Sequence, residues 1–181
     1  AMKLLILCEG PNELAVVQML LDANCFVFSR DDLLGLRPYH ARQIDKSSAV
    51  KLELNIYSGS VKVLRIGDVM SDKLKIPAQY AEKIVAVEKY CTKPELEMLL
   101  ILAEHLEREF EKVRAGKNRV SPKDFCKAHV QYNRKRYNNS TQFYYDYFGS
   151  DISKLVSAIR AYRGLQGAHK KDEGYLADLL K

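Results

Sequence analysis

Apolar and polar positions alternate between two regimes along this chain, short unbroken apolar runs and longer stretches with helical spacing. Residues 3–8, Lys3-Leu4-Leu5-Ile6-Leu7-Cys8, form the first run. Its brevity and continuity predict a strand buried on both faces, as in a parallel sheet covered by helices. Gly10 and Pro11 turn the chain, and proline at a first helical position predicts a helix carrying Leu14, Val16, Val17, Leu20 and Leu21 on its sheet-facing side. Residues 25–29 read as a second short strand, and residues 36–42, containing Pro38, as an edge or loop segment. Residues 51–57 alternate partly and make a weaker strand candidate than residues 61–68, whose valines and isoleucine suit a pleated surface. Residues 83–88 are a further strand candidate.

The strongest helical pattern follows. Thr92 and Glu95 have capping-box spacing, and Leu96, Leu99, Leu100, Ala103, Leu106, Phe110 and Val113 form one stripe. Ser121-Pro122 and Ser150-Asp151 predict two more helix starts, Gly164 a helix end, and a short helix is expected between Tyr175 and Leu180. The pattern predicts an α/β fold, a mostly parallel sheet flanked by helices, in one domain of 181 residues with an appended helical part.

Composition adds limits. Hydrophobic residues at 47% and charged residues at 29% exclude a disordered chain. Cys8, Cys25, Cys91 and Cys126 are scattered, which predicts reduced thiols in a cytoplasmic protein. The first apolar run ends at Glu9, too early for a signal peptide, and no membrane span is expected. A net charge of +6 permits a polyanionic partner without requiring one.

The candidate chemistry is acidic. Glu9 ends one apolar strand and Asp68 another, and Glu13 lies one helical turn beyond Glu9. Open α/β sheets keep their ligands at the carboxyl ends of strands. Carboxylates brought together there repel unless a cation lies between them, and Mg²⁺ is a hard cation that takes such oxygens. Plain readings stand beside these: Glu13 can serve the helix dipole, Asp68 a turn, and Asp72 a solvated loop. Glu97 lies in an apolar helix start, where it either faces a site or escapes to solvent. Lys127, Arg134, Lys135 and Arg136 lie in a basic, aromatic segment that fits nucleic-acid phosphates, while its tyrosines and phenylalanines fit either base stacking or a core. A phosphate-binding glycine loop, a nucleophile elbow and paired C-x-x-C motifs are missing from the sequence, and Cys126 with His129 is a poor zinc signal.

Cys8-Glu9-Gly10-Pro11-Asn12-Glu13 resembles the first motif of the Toprim fold, especially as found in the OLD-family (overcoming lysogenization defect) nucleases: hydrophobic strand, Glu, Gly, a short pair, Glu. Val63-Leu64-Arg65-Ile66-Gly67-Asp68 is similar to the second motif, a strand ending in Asp-x-Asp, but departs from it with Met70 in place of the second aspartate; the next is Asp72. The resemblance implies a Toprim-like, Rossmann-like core over residues 1–115; residues 116–181 match no part of it and read, from their own composition and helix signals, as a helical, basic and aromatic extension packed on the core. It further implies Mg²⁺ (or Mn²⁺) held by Glu9, Glu13, Asp68, Asp72 and Glu97, with Glu9 and Asp68 catalytic. The implied activity is phosphodiester hydrolysis on DNA or RNA by a nuclease, in the setting of phage defence or a mobile element. A non-catalytic nucleic-acid-binding or interaction module with a degenerate site is the competing expectation, and a homodimer or a protein partner stays open.

Overall fold

The computed structural model describes residues 1–68, 71–165, 167 and 169–181. In chain order it comprises β1 (Met2–Cys8), α1 (Pro11–Asp22), β2 (Tyr39–His40), α2 (Ser48–Ile56), β3 (Ser60–Gly67), β4 (Ile84–Cys91), α3 (Met98–Ala103), α4 (Glu107–Arg114), α5 (Pro122–His129), β5 (Gln131–Tyr132), β6 (Lys135–Arg136), α6 (Thr141–Gly149), α7 (Ile152–Arg163) and β7 (Glu173–Gly174). Five strands form one sheet in the order β2-β1-β3-β4-β7, and every neighbouring pair is parallel. Helices flank it, so the architecture is α/β and Rossmann-like.

Strand alternation sorts the core into two layers. Ile6, Cys8, Leu64 and Ile66 point into the larger layer with Val16, Val17 and Leu20 of α1 and the buried residues of α3, α5, α6 and α7. Leu5, Leu7, Val61 and Val63 point the other way, onto Val50 and Leu54 of α2. Arg65 shares that second face by strand alternation and is 1% exposed. Its Nη1 donates to the Asp72 carbonyl at 2.8 Å and its Nη2 to Asp72 Oδ2 at 3.2 Å.

Several local expectations change. Residues 25–29 form no strand; Phe26 makes a single bridge to Leu180. Residues 51–56 of the 51–57 candidate fall in α2 and Tyr57 follows it in an extended conformation, because Val50 and Leu54, one turn apart, both find the sheet while Ser47 caps the helix by accepting from the Val50 N–H at 3.2 Å. The long helix after Thr92 is broken: Lys93-Pro94 is a cis peptide, α3 begins at Met98, and His105 at φ 57° separates α3 from α4. Glu95 is consequently no cap; its carboxylate lies 3.7 Å from Lys123 Nζ.

The segment after residue 116 is less purely helical than expected. It contains the antiparallel hairpin β5–β6 and supplies the edge strand β7. Asn133 and Arg134 occupy the hairpin turn with φ of 49° and 66°, the mirror-image turn that matches strand twist. Glu173 of β7 pairs with Lys93 Nζ at 2.6 Å, which draws its carboxyl down to about 2 against the opposing effect of burial. Tyr137, Phe143, Tyr144, Tyr147 and Phe148 are buried in the larger layer. The core alternative therefore holds for these rings, and they offer no stacking platform.

Candidate metal and phosphodiester site

The strand ends bring the acidic residues together. Glu9 continues the ladder past β1, its N–H donating to the Ile66 carbonyl at 2.8 Å. Asp68 follows β3, the neighbouring strand, and its N–H donates to Glu9 Oε2 at 3.3 Å. Gly67 makes this approach possible: a Cβ there would stand 2.2 Å from Glu9 Oε2 and 2.9 Å from Glu9 Cβ. Gly10 plays the same part for α1, since its Cβ would meet Glu13 Oε2 at 2.6 Å. Pro11 starts α1 without needing a hydrogen-bond partner, and Glu13 in its first turn is buried.

Glu97 arrives from the β4 side, immediately before α3, and is 4% exposed. Its Oε1 accepts from the Tyr137 hydroxyl at 3.0 Å. Glu9, Glu13, Asp68 and Glu97 thus line one cleft of about 250 Å³ with Asn12, Lys123 and Asn139. Asn12 donates to Asn139 Oδ1 at 3.2 Å and accepts from Thr141 Oγ1 at 3.1 Å, fastening the start of α1 to the start of α6 beside the cleft.

Electrostatics reflect the crowding. Burial first, and Glu13 next, lift the Asp68 carboxyl to about 9; Glu13 is also raised by burial, despite the hydrogen bond it receives from Asp68. One proton is therefore held between the two at neutral pH. Burial likewise raises Glu97, against the lowering effect of the Tyr137 hydroxyl. Glu9 is compensated differently, by an ion pair between its Oε1 and the Arg42 guanidinium.

Among the sequence candidates, Glu9, Glu13, Asp68 and Glu97 converge and Asp72 does not. Asp72 is the counter-charge of buried Arg65 and also accepts from Gln43 Nε2 at 3.1 Å; these contacts hold its carboxyl below the usual range despite some burial. Met70, the departure from the second motif, lies outside the described residues. Lys127, Arg134, Lys135 and Arg136 are exposed, the last three on the β5–β6 hairpin and its turn. Directly after Arg136, Tyr137 and then Asn139 reach the acidic cleft.

Sequence reasoning missed Arg42, Lys123, Asn12 and Asn139 as members of this site. Arg42 and Asn139 are isolated polar residues in loops, Asn12 and Lys123 lie in the first turns of α1 and α5, and none carries a periodic signal that points to partners far along the chain. Tyr137 was visible merely as one aromatic among many.

Do these residues suit a divalent cation? Asp68 Oδ1 and Glu97 Oε2 are buried and have no hydrogen-bond partner, which is costly for carboxylate oxygens unless a cation meets them. Among the described residues no three His, Cys, Asp or Glu side chains already stand at metal-holding spacing. Mg²⁺ commonly needs one or two protein carboxylates and keeps several waters, so the donor set fits that ion. Among the described residues no helix is long and apolar enough to cross a membrane. Comparison with known proteins returned no matching family model, no matching curated protein and no matching solved structure.

Proposed function

We propose that the cleft supports divalent-metal-dependent hydrolysis of phosphodiester bonds in nucleic acid. The observation that carries this reading is the convergence of Glu9, Glu13, Asp68 and Glu97 from three neighbouring strand ends, with Asp68 Oδ1 and Glu97 Oε2 buried and unpaired. Asp68 and Glu97, whose unpaired oxygens lie in the cleft, would hold Mg²⁺ or Mn²⁺ among waters, with the charge of Glu9 beside them. Such an ion polarises the phosphoryl oxygens and lowers the pKa of a bound water. Glu9, at the cleft edge, accepts the proton of the attacking water; the water oxygen bonds to phosphorus, the ester P–O bond breaks, and the departing oxygen is protonated from solvent. The exposed cations Lys127, Arg134, Lys135 and Arg136 would meet the phosphate backbone. A nuclease of this kind suits phage defence or a mobile element, the setting implied by the Toprim resemblance.

The test is incubation with single- and double-stranded DNA and RNA in Mg²⁺, Mn²⁺ or EDTA. Cleavage that needs the metal and disappears in Glu9→Gln and Asp68→Asn supports the site. Metal-dependent cleavage surviving both substitutions overturns it, and binding without cleavage favours a nucleic-acid-binding module.

A further inference from the structure

Arg42 follows the edge strand β2, so the row of strand ends reads Arg42, Glu9, Asp68 and then Glu97 beyond β4. Its backbone is anchored, because the carbonyl accepts from Nη2 of buried Arg65 at 3.2 Å. Its side chain is 57% exposed and ion-pairs with Glu9 Oε1. A fixed main chain thus carries a cation with room to turn.

Glu9 is satisfied from two sides, by Arg42 and by the Asp68 N–H. Asp68 Oδ1 and Glu97 Oε2 in the same cleft lack any partner, and Glu97 is more than nine-tenths buried. The unpaired atoms are all acceptors, and they call for positive charge that Arg42, on the far side of Glu9, does not reach.

Resting on the divalent-cation reading above, we propose that Arg42 is the resident counter-ion of Glu9, that a divalent cation displaces it, and that the released guanidinium then binds a substrate phosphate. The Arg42 end of the pair is 57% exposed, so its guanidinium can swing into solvent when a divalent ion held beside Glu9 by Asp68 and Glu97 repels it. The guanidinium's planar fork matches phosphate oxygens in a way that an ammonium does not. Because the Arg42 backbone is pinned, the freed side chain stays at the mouth of the cleft. Arg42 is therefore a counter-ion before the metal binds and a substrate contact afterwards.

The experiment uses the full chain and needs no turnover. Mn²⁺ is titrated calorimetrically into wild type, Arg42→Ala and Arg42→Lys, and a labelled single-stranded oligonucleotide is followed by fluorescence anisotropy in Ca²⁺ and in EDTA. Arg42→Ala is expected to bind Mn²⁺ roughly three- to fivefold more tightly. It should bind the oligonucleotide roughly tenfold more weakly in Ca²⁺ and unchanged in EDTA, where Arg42 stays on Glu9. Arg42→Lys should restore the wild-type Mn²⁺ affinity but only part of the oligonucleotide affinity. Unchanged or weaker Mn²⁺ binding in Arg42→Ala overturns the proposal, as does an equal loss of oligonucleotide binding in Ca²⁺ and EDTA. A wild type that takes up no Mn²⁺ overturns the divalent-cation reading itself, a result distinct from both.

Discussion

The Asp68 backbone N–H donates to Glu9 Oε2 at 3.3 Å, so the ends of two adjacent parallel strands are joined through a side chain that the proposed chemistry needs. Gly67 leaves the space for that bond. Gly67→Ala would place a methyl 2.9 Å from Glu9 Cβ, which is not the flexible end of the side chain, and Glu9 must retreat. Expected is a loss of about 1–3 kcal/mol in urea unfolding from overpacking, together with a Mn²⁺ affinity at least severalfold weaker. Wild-type Mn²⁺ binding in this variant would show that Glu9 has no part in the metal site.

The proton held between Asp68 and Glu13 gives metal-free protein a defined pH dependence. The folded Asp68 carboxyl is raised from 3.8 to about 9, so the folded state binds the extra proton across that window. Its contribution to stability is complete below the ordinary aspartate value and is lost as pH rises toward 9. Urea midpoints in EDTA should fall between pH 5 and about 9, and Asp68→Asn should flatten that slope. Excess Mg²⁺ should also flatten it, because a bound cation favours the ionised pair.

Asp72 serves Arg65 rather than the cleft. Asp72→Asn keeps the shape but removes the charge facing a guanidinium that is 1% exposed. Stability should drop by about 1–2 kcal/mol, less than for a fully buried pair because Asp72 is partly solvated. Mn²⁺ affinity should stay within about twofold, since Asp72 is not expected to ligate. Calorimetric titration of the variant checks both halves of the distinction.

Tyr137 connects the basic hairpin to the acidic cleft. Tyr137→Phe retains the buried ring and deletes the donor to Glu97 Oε1, leaving that carboxylate without its hydrogen bond. The expected loss is about 1–3 kcal/mol, the usual cost of orphaning a buried polar group. Thermal unfolding measures it, and Mg²⁺ should recover part of the loss if Glu97 faces the ion.

The hairpin cations should act through phosphates. Replacing Arg134, Lys135 and Arg136 together with glutamine should weaken nucleic-acid binding without altering the fold, because all three are exposed. The log–log salt slope for duplex DNA should shrink by about 0.9 for each lost phosphate contact. A variant with an unchanged salt slope would place the nucleic-acid surface elsewhere.

Unbroken apolar runs and helix punctuation were enough to read β1, β3, β4, α1, α5 and α7 from the sequence, because buried parallel strands and proline-started or side-chain-capped helices write their signals locally. The same runs brought Glu9 and Asp68 forward, since each ends one. Tertiary structure alone decided the rest. It drew residues 51–56 into α2, started α3 no earlier than Met98 and separated it from α4 at His105. It also divided the acidic residues: Glu97 turns into the cleft, whereas Asp72 turns to Arg65, a residue on the opposite face of the sheet from Ile66. Arg42, Tyr137 and Asn139 joined the site from loops and a hairpin distant in sequence. Periodicity records which face of an element is buried, but the partner of a charged or hydroxyl side chain depends on which strands become neighbours, and that is set when the whole sheet closes.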